Sequence, residues 1–132
     1  MHAASLAGNV LAGPSLVLAE WRDPGGETDP PRYIAPLHIH HSDDEAWYVL
    51  AGALRFRLDD EEVEAQAGGA VIAVRGVAHT YWNPRPEPAR YLLVMTTRIA
   101  ALIDALHAPG GTRSMDEVFR DHDSTLIGWP NG

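Results

Sequence analysis

The sequence predicts an all-β fold, an antiparallel sandwich or barrel with one or two short helices at its C-terminal end. Three observations predict it. Short β-rich runs recur at close spacing between Gly, Pro and Asp clusters. The apolar pattern changes to helical spacing near residue 97. The 132 residues, 45% of them apolar, are enough for one core and too few for two, so residues 1–132 read as a single domain. Within it the barrel takes about residues 10–97, and a helical extension takes about 98–132.

Residues 15–21 alternate well enough for a strand. Residues 23–32, dense in proline, glycine and acids, interrupt the pattern and read as an exposed loop. Strand-like runs then follow at 33–40, 45–51, 54–58, 63–66, 70–74, 79–82 and 90–96. The acidic run Asp59-Asp60-Glu61-Glu62 lies between two of them and reads as a charged hairpin turn. Ile99, Leu102, Ile103 and Leu106 fall at helical spacing, with Thr97 as N-cap and the Ala-Pro-Gly-Gly of 108–111 as the stop. Ser114-Met-Asp-Glu117 is a capping-box pattern that opens a second short helix carrying Val118 and Phe119. Two roles stand open for these helices: a cover for the barrel's open edge or end, or a lid or dimer contact.

Composition removes several function classes. With 18 acidic and 10 basic residues the formal charge is −8, against the basic excess expected of a nucleic-acid binder and unfavourable for an anionic membrane surface. No apolar run is long enough to span a bilayer, and the first twenty residues carry no secretory pattern, so a soluble cytoplasmic protein is expected. Cysteine is absent, which excludes disulfides, thiolate metal sites and a cysteine nucleophile. All ten basic residues are arginines, so neither Schiff-base chemistry nor a phosphate-binding P-loop lysine is available. Histidine, with seven copies, is what remains for chemistry.

The densest polar cluster is His38-Ile-His40-His41-Ser-Asp-Asp-Glu45. On a strand, His38 and His40 project to one face while Ile39 and His41 point away. Glu45 has the wrong parity for an unbroken strand. A turn over residues 41–44 would let it lead the next strand and face the same cavity, with Trp47 and Val49 behind it. His79 begins another strand after the turn Arg75-Gly76-Val77-Ala78. Three imidazoles and a carboxylate form a mixed N/O set suited to one divalent transition metal: Fe, Mn, Ni, Cu or Zn.

With these residues in place the sequence resembles the cupin superfamily. The first cupin motif, G-x5-H-x-H-x3–4-E-x6-G, is met by His38, His40, Glu45 and Gly52, with Arg32 where the opening glycine would stand. The second, G-x5-P-x-G-x2-H-x3-N, is met by Gly68, Gly76, His79 and Asn83, with Val74 in place of the proline. The two motifs span about residues 31–83, and both departures sit at turns while every ligand position is filled. The resemblance implies a jelly-roll barrel of two antiparallel sheets with a metal inside its mouth, held by His38, His40, Glu45 and His79. By family analogy it also implies a homodimer.

Parity nominates a pocket lining. Trp47 shares the face of Glu45; Tyr81 and Asn83 share that of His79. Tyr81 reads either as a hydrogen-bond donor or proton relay, hence a candidate catalytic residue, or as a packed core aromatic. Trp82 points to the opposite face, and Asn83 before Pro84 closes a turn. His41 is expected in solvent, as are Arg55 and Arg57, and His2 in a free terminus. His107 and His122 reach the mouth only if the C-terminal segment folds over it, and Arg75 is a candidate for holding an anionic substrate.

Three functions fit a small-molecule ligand at such a centre. One is an oxygenase-type enzyme acting on an enol, diol or phenol. The second is a non-oxidative cyclase or isomerase with the metal as Lewis acid. The third is a binding module without turnover.

Overall fold

The structure, a computed structural model, describes Leu6 and residues 9–130. The expectation for His2 lies outside the described residues. Ten strands and two helices follow one another as β1 (Val10–Ala12), β2 (Leu16–Asp23), β3 (Leu37–His40), β4 (Glu45–Ala51), β5 (Ala53–Leu58), β6 (Glu61–Gln66), β7 (Ala70–Ala73), β8 (His79–Trp82), β9 (Ala89–Thr96), α1 (Thr97–His107), α2 (Met115–Asp121) and β10 (Ser124–Gly128). They form two antiparallel five-stranded sheets, ordered β1-β2-β9-β4-β7 and β10-β3-β8-β5-β6. This is the jelly-roll arrangement, with two facing sheets rather than one continuously closed barrel.

Alternation decides which side chains meet between the sheets. In the first sheet Val17 and Ala19 of β2, Trp47 and Val49 of β4, and Tyr91, Leu93 and Met95 of β9 are buried. In the second, Leu54 and Phe56 of β5 and Tyr81 of β8 oppose them. Aromatic rings knit the layers: Trp47 and Phe56 lie 5.1 Å apart and Tyr81 and Tyr91 5.7 Å apart, edge-on. Each fully buried Leu or Phe contributes about 1.5–3 kcal/mol through area removed from water. The tight β4–β5 connection turns at Gly52, whose φ is +76°; a Cβ there would stand 2.5 Å from the Pro88 carbonyl oxygen. That φ and that approach both call for glycine.

The predicted elements are present with four corrections. The run 33–40 is a strand only over Leu37–His40, because Pro36 has no N–H for a ladder; Tyr33 keeps a single bridge to Trp82. The acidic hairpin turns on Asp59 and Asp60, and Glu61 already belongs to β6. Thr96, not Thr97, caps α1, its hydroxyl accepting the Ile99 N–H. The segment read as a helical extension also contains β10, which pairs antiparallel with β3 and sets Ser124 opposite His40. The capping box at Ser114 and Glu117 forms as expected.

The helices are built into the interior. Ile99 belongs to the main core, and Leu102, Val118 and Phe119 form a second cluster against Leu106 and Leu126. Among the described residues no helix is long and apolar enough to cross a membrane.

Candidate metal centre

Both sheets contribute to the site. β3 presents His38 and His40 inward, and antiparallel pairing sets His79 of β8 directly opposite His38. The turn over residues 41–44 reverses the chain, so Glu45 opens β4 in the other sheet and faces the three rings. All four side chains are buried, and one ligand atom from each lies within 4.8 Å of all the others. His38 Nε2 is 3.2 Å from His40 Nε2; His40 Nε2 and His79 Nε2 are 3.3 and 3.1 Å from Glu45 Oε1.

The opposite ring nitrogens are tied down. His38 Nδ1 donates to the Pro36 carbonyl at 2.6 Å and His79 Nδ1 to the Val77 carbonyl at 3.1 Å. His40 Nδ1 meets Ser124 Oγ at 2.8 Å, and that hydroxyl donates to the His122 carbonyl at 3.1 Å, so it accepts from the ring. With each proton on Nδ1, the lone pairs of Nε2 converge. Two neutral rings arranged so have no hydrogen to place between His38 Nε2 and His40 Nε2. A cation resolves the clash of lone pairs, and tied-back Nδ1 atoms are what orient histidine ligands at metal sites. The donor set therefore fits a divalent transition metal.

Electrostatics agree with that fit. Burial, reinforced by His79 and His40, lowers the pKa of His38 to about 3 and keeps its ring neutral. Burial by itself would raise the Glu45 carboxyl, but His40 and His79 outweigh it and hold the group down to about 2, ionised.

The turn that delivers His79 is braced from two sides. Gly76, at φ +84°, gives its N–H to the His40 carbonyl at 2.8 Å. Asp59 exchanges hydrogen bonds with Ala78, donating its N–H at 2.7 Å and accepting on Oδ1 at 3.0 Å. Arg75 does not face the site. It is exposed and forks onto Asp44, so the reading of Arg75 as a substrate anchor is corrected.

A cavity of about 180 Å³ opens beside His38, His40 and Glu45. Trp47 and Tyr81 line it, and α1 supplies a wall of Ile99, Leu102, Ile103 and Leu106. Phe119 of α2 closes against the His38 ring at 5.3 Å. The Tyr81 hydroxyl bonds that of Tyr91 at 2.9 Å. Burial and this neighbour push its pKa well up, so it remains a protonated donor.

Other candidates lie elsewhere. His41 is exposed and bonds Thr125 Oγ1; Trp82 packs edge-on against Tyr33. Asn83 closes a turn through Glu87 and Arg85, and Arg55 pairs with Glu62 and Glu64 at the surface. His107 joins the cavity wall; His122 caps α2, bonds the Val118 carbonyl, and contributes only its own carbonyl to the site. Sequence reading missed Ser124 and Phe119. The run Ser124-Thr125-Leu126-Ile127 before Gly128 is a usable strand signal, but its pairing with β3 is not encoded in its spacing.

The family model described as "Cupin domain" matches residues 24–95. No curated protein matches the chain significantly. Among solved structures, a conserved protein with a double-stranded β-helix domain from Klebsiella pneumoniae is 26% identical, with a TM-score of 0.55 over 67% of this chain and 73% of that one. A sugar phosphate isomerase of the cupin superfamily from Silicibacter pomeroyi is 25% identical, with a TM-score of 0.53 over 62% of this chain and 50% of that one. A predicted oxalate decarboxylase from Thermotoga maritima is 23% identical, with a TM-score of 0.53 over 63% and 67%.

Proposed function

The chain belongs to the cupin family, and from that premise we propose that it is a metal-dependent enzyme of oxygenase type acting on a small enol, diol or phenol. One observation carries the reading: three buried imidazoles and one carboxylate converge on one point, and His38, His40 and Glu45 of that group line a mostly apolar cavity. His38, His40, Glu45 and His79 would hold the metal. Iron(II), or manganese, nickel or copper in its place, would bind such a substrate through oxygen and prime it for reaction with O2. The chain's own contribution is a neutral, pre-oriented ligand set, apolar walls that exclude water, and a Tyr81 hydroxyl that stays protonated and donates.

A second reading, a non-oxidative cyclase or isomerase, is favoured by His107. Its Nδ1 engages the Ile103 carbonyl at 2.9 Å, leaving Nε2 for acid–base work in the cavity wall. The name carried by the Silicibacter neighbour points the same way for that protein.

Elemental mass spectrometry of protein purified without chelator or metal resin separates the readings. Near-stoichiometric iron, manganese, nickel or copper, followed by oxygen uptake on enols, catechols or flavonols, supports the first. Stoichiometric zinc with no oxygen uptake moves the second to the front. His40→Ala is expected to empty the site while the sheets stay folded. Wild-type protein that neither carries nor takes up metal would reduce the function to metal-free ligand binding.

We also propose a homodimer formed through the outer face of the first sheet. Leu11, Leu18, Val94, Ala46 and Ile72 stand in register across all five strands on that face, where a solvated sheet would alternate to polar residues. The charges of these strands' outward positions are Glu20, Arg22 and Arg90, with Glu20 and Arg90 paired. A second copy of a chain with charge −8 can therefore approach here without like-charge repulsion.

A further inference from the structure

The cavity runs from the metal ligands to solvent along an apolar wall. His38, His40 and Glu45 lie at its buried end, and α1 and the fully buried Phe119 enclose it further out. Met115, at 41% exposure, and Trp129, at 44%, are lining residues that reach the surface, together with His107 at the end of α1. They come from three separate segments and mark the mouth. Two of the three are large and apolar, so the apolar lining continues into solvent, as it does in grooves that hold a ligand.

Partners for a charged or polar ligand are scarce along this path. All the protein's basic residues apart from histidine are arginines, and among the described residues none lines the cavity. Glu45, already turned to the metal, is the carboxylate of the lining. The Tyr81 hydroxyl is bonded to that of Tyr91 at 2.9 Å and takes the Trp47 indole N–H. A ligand charge away from the metal would therefore be buried without a partner, which is costly. Size sets the last limit. A cavity of about 150 Å³ suffices for benzene, and this one is about 180 Å³. A ring-sized portion of a ligand fills the enclosed space, and whatever it carries beyond that lies at the mouth.

We propose that the cavity takes an amphiphilic small molecule head-first, with a polar head at the metal and an uncharged apolar tail that passes α1 and Phe119 and leaves between Met115 and Trp129. The inference rests on the metal-dependent reading above and narrows its substrates to those that carry such a tail.

Calorimetric titration of the full chain loaded with zinc tests it, with zinc content measured before and after. The probes are acetohydroxamic, hexanohydroxamic and octanohydroxamic acids, which share one zinc-binding head and differ only in the length of the tail. A buried methylene is worth about fourfold in affinity, so octanohydroxamic acid is expected to bind at least about thirtyfold more tightly than acetohydroxamic acid. Trp129→Ala should cut that ratio about threefold, and Met115→Glu, which sets a charge at the mouth, about tenfold. Glutamate suits the first turn of α2, so the second variant is expected to fold; if it does not, Trp129→Ala decides alone. Equal affinity for the three probes overturns the proposal, as does a length gain that survives intact in the variants. A gain that disappears as the protein is concentrated overturns it too, because a second copy then covers the mouth. Protein that holds no zinc at all defeats the metal reading and this inference with it; protein that holds zinc but gains nothing from tail length defeats this inference only.

Discussion

Ser124 and His40 lie 84 positions apart in the chain and 2.8 Å apart in space, with the serine hydroxyl accepting from the ring's Nδ1 and passing its own proton to the His122 carbonyl. The last strand thereby fixes the tautomer of a histidine on an early one. That tautomer is the one a metal needs, because it leaves Nε2 bare.

Ser124→Ala should therefore weaken metal binding about tenfold to a hundredfold, the usual cost of losing a partner behind a metal ligand. Thr in place of Ser should restore much of the loss. Competition against a chromophoric chelator measures the affinity. The nitrogen chemical shifts of His40 in metal-free protein should show the Nδ1-protonated form depleted in the alanine variant alone.

Truncation after Thr97 should unfold the chain rather than merely open the cavity. It removes Ile99 from the main core, the whole second cluster, and the strand that pairs with β3. The single change Phe119→Ala, at a fully buried ring, should cost about 3–5 kcal/mol. Urea denaturation checks both, and a truncated chain with a native midpoint would return the helices to the role of a detachable lid.

The metal-free protein should be sensitive to acid. His38 is held at about 3 in the fold against 6.5 in the open chain, so between those values the unfolded state binds the extra proton. Stability is then fully present above about pH 6.5 and is lost as pH falls toward 3. Glu45, held at about 2 against 4.5, adds the same sign of effect below pH 4.5. Urea midpoints from pH 7 to pH 4 should fall, and His38→Asn should flatten the upper part of that slope.

Val94→Arg, at the centre of the outward apolar row, should yield a monomer by light scattering while metal content is kept. Wild-type protein that is already monomeric at micromolar concentration would remove the dimer.

Much of the fold and the four residues that converge in the candidate site were legible in the sequence, for a local reason. Alternation along a strand fixes which face a side chain takes, so His38 and His40 pair while His41 turns outward, and the turn at 41–44 resets parity for Glu45. Arg75 was misjudged because sequence places it near His79 but says nothing of Asp44, which draws it to the surface.

The sequence by itself determined the strand periodicity, the four candidate ligand residues and their spacing, and the helix caps to within one residue. All of these depend on backbone geometry over a few positions. Only the tertiary structure decided that Ser124 stands behind His40, that Phe119 and α1 wall the cavity, and that Trp47 packs against Tyr81 in its lining. Those relationships join residues far apart in the chain. They arise because two sheets and two helices must bury their apolar faces against one another, a constraint that no local pattern records.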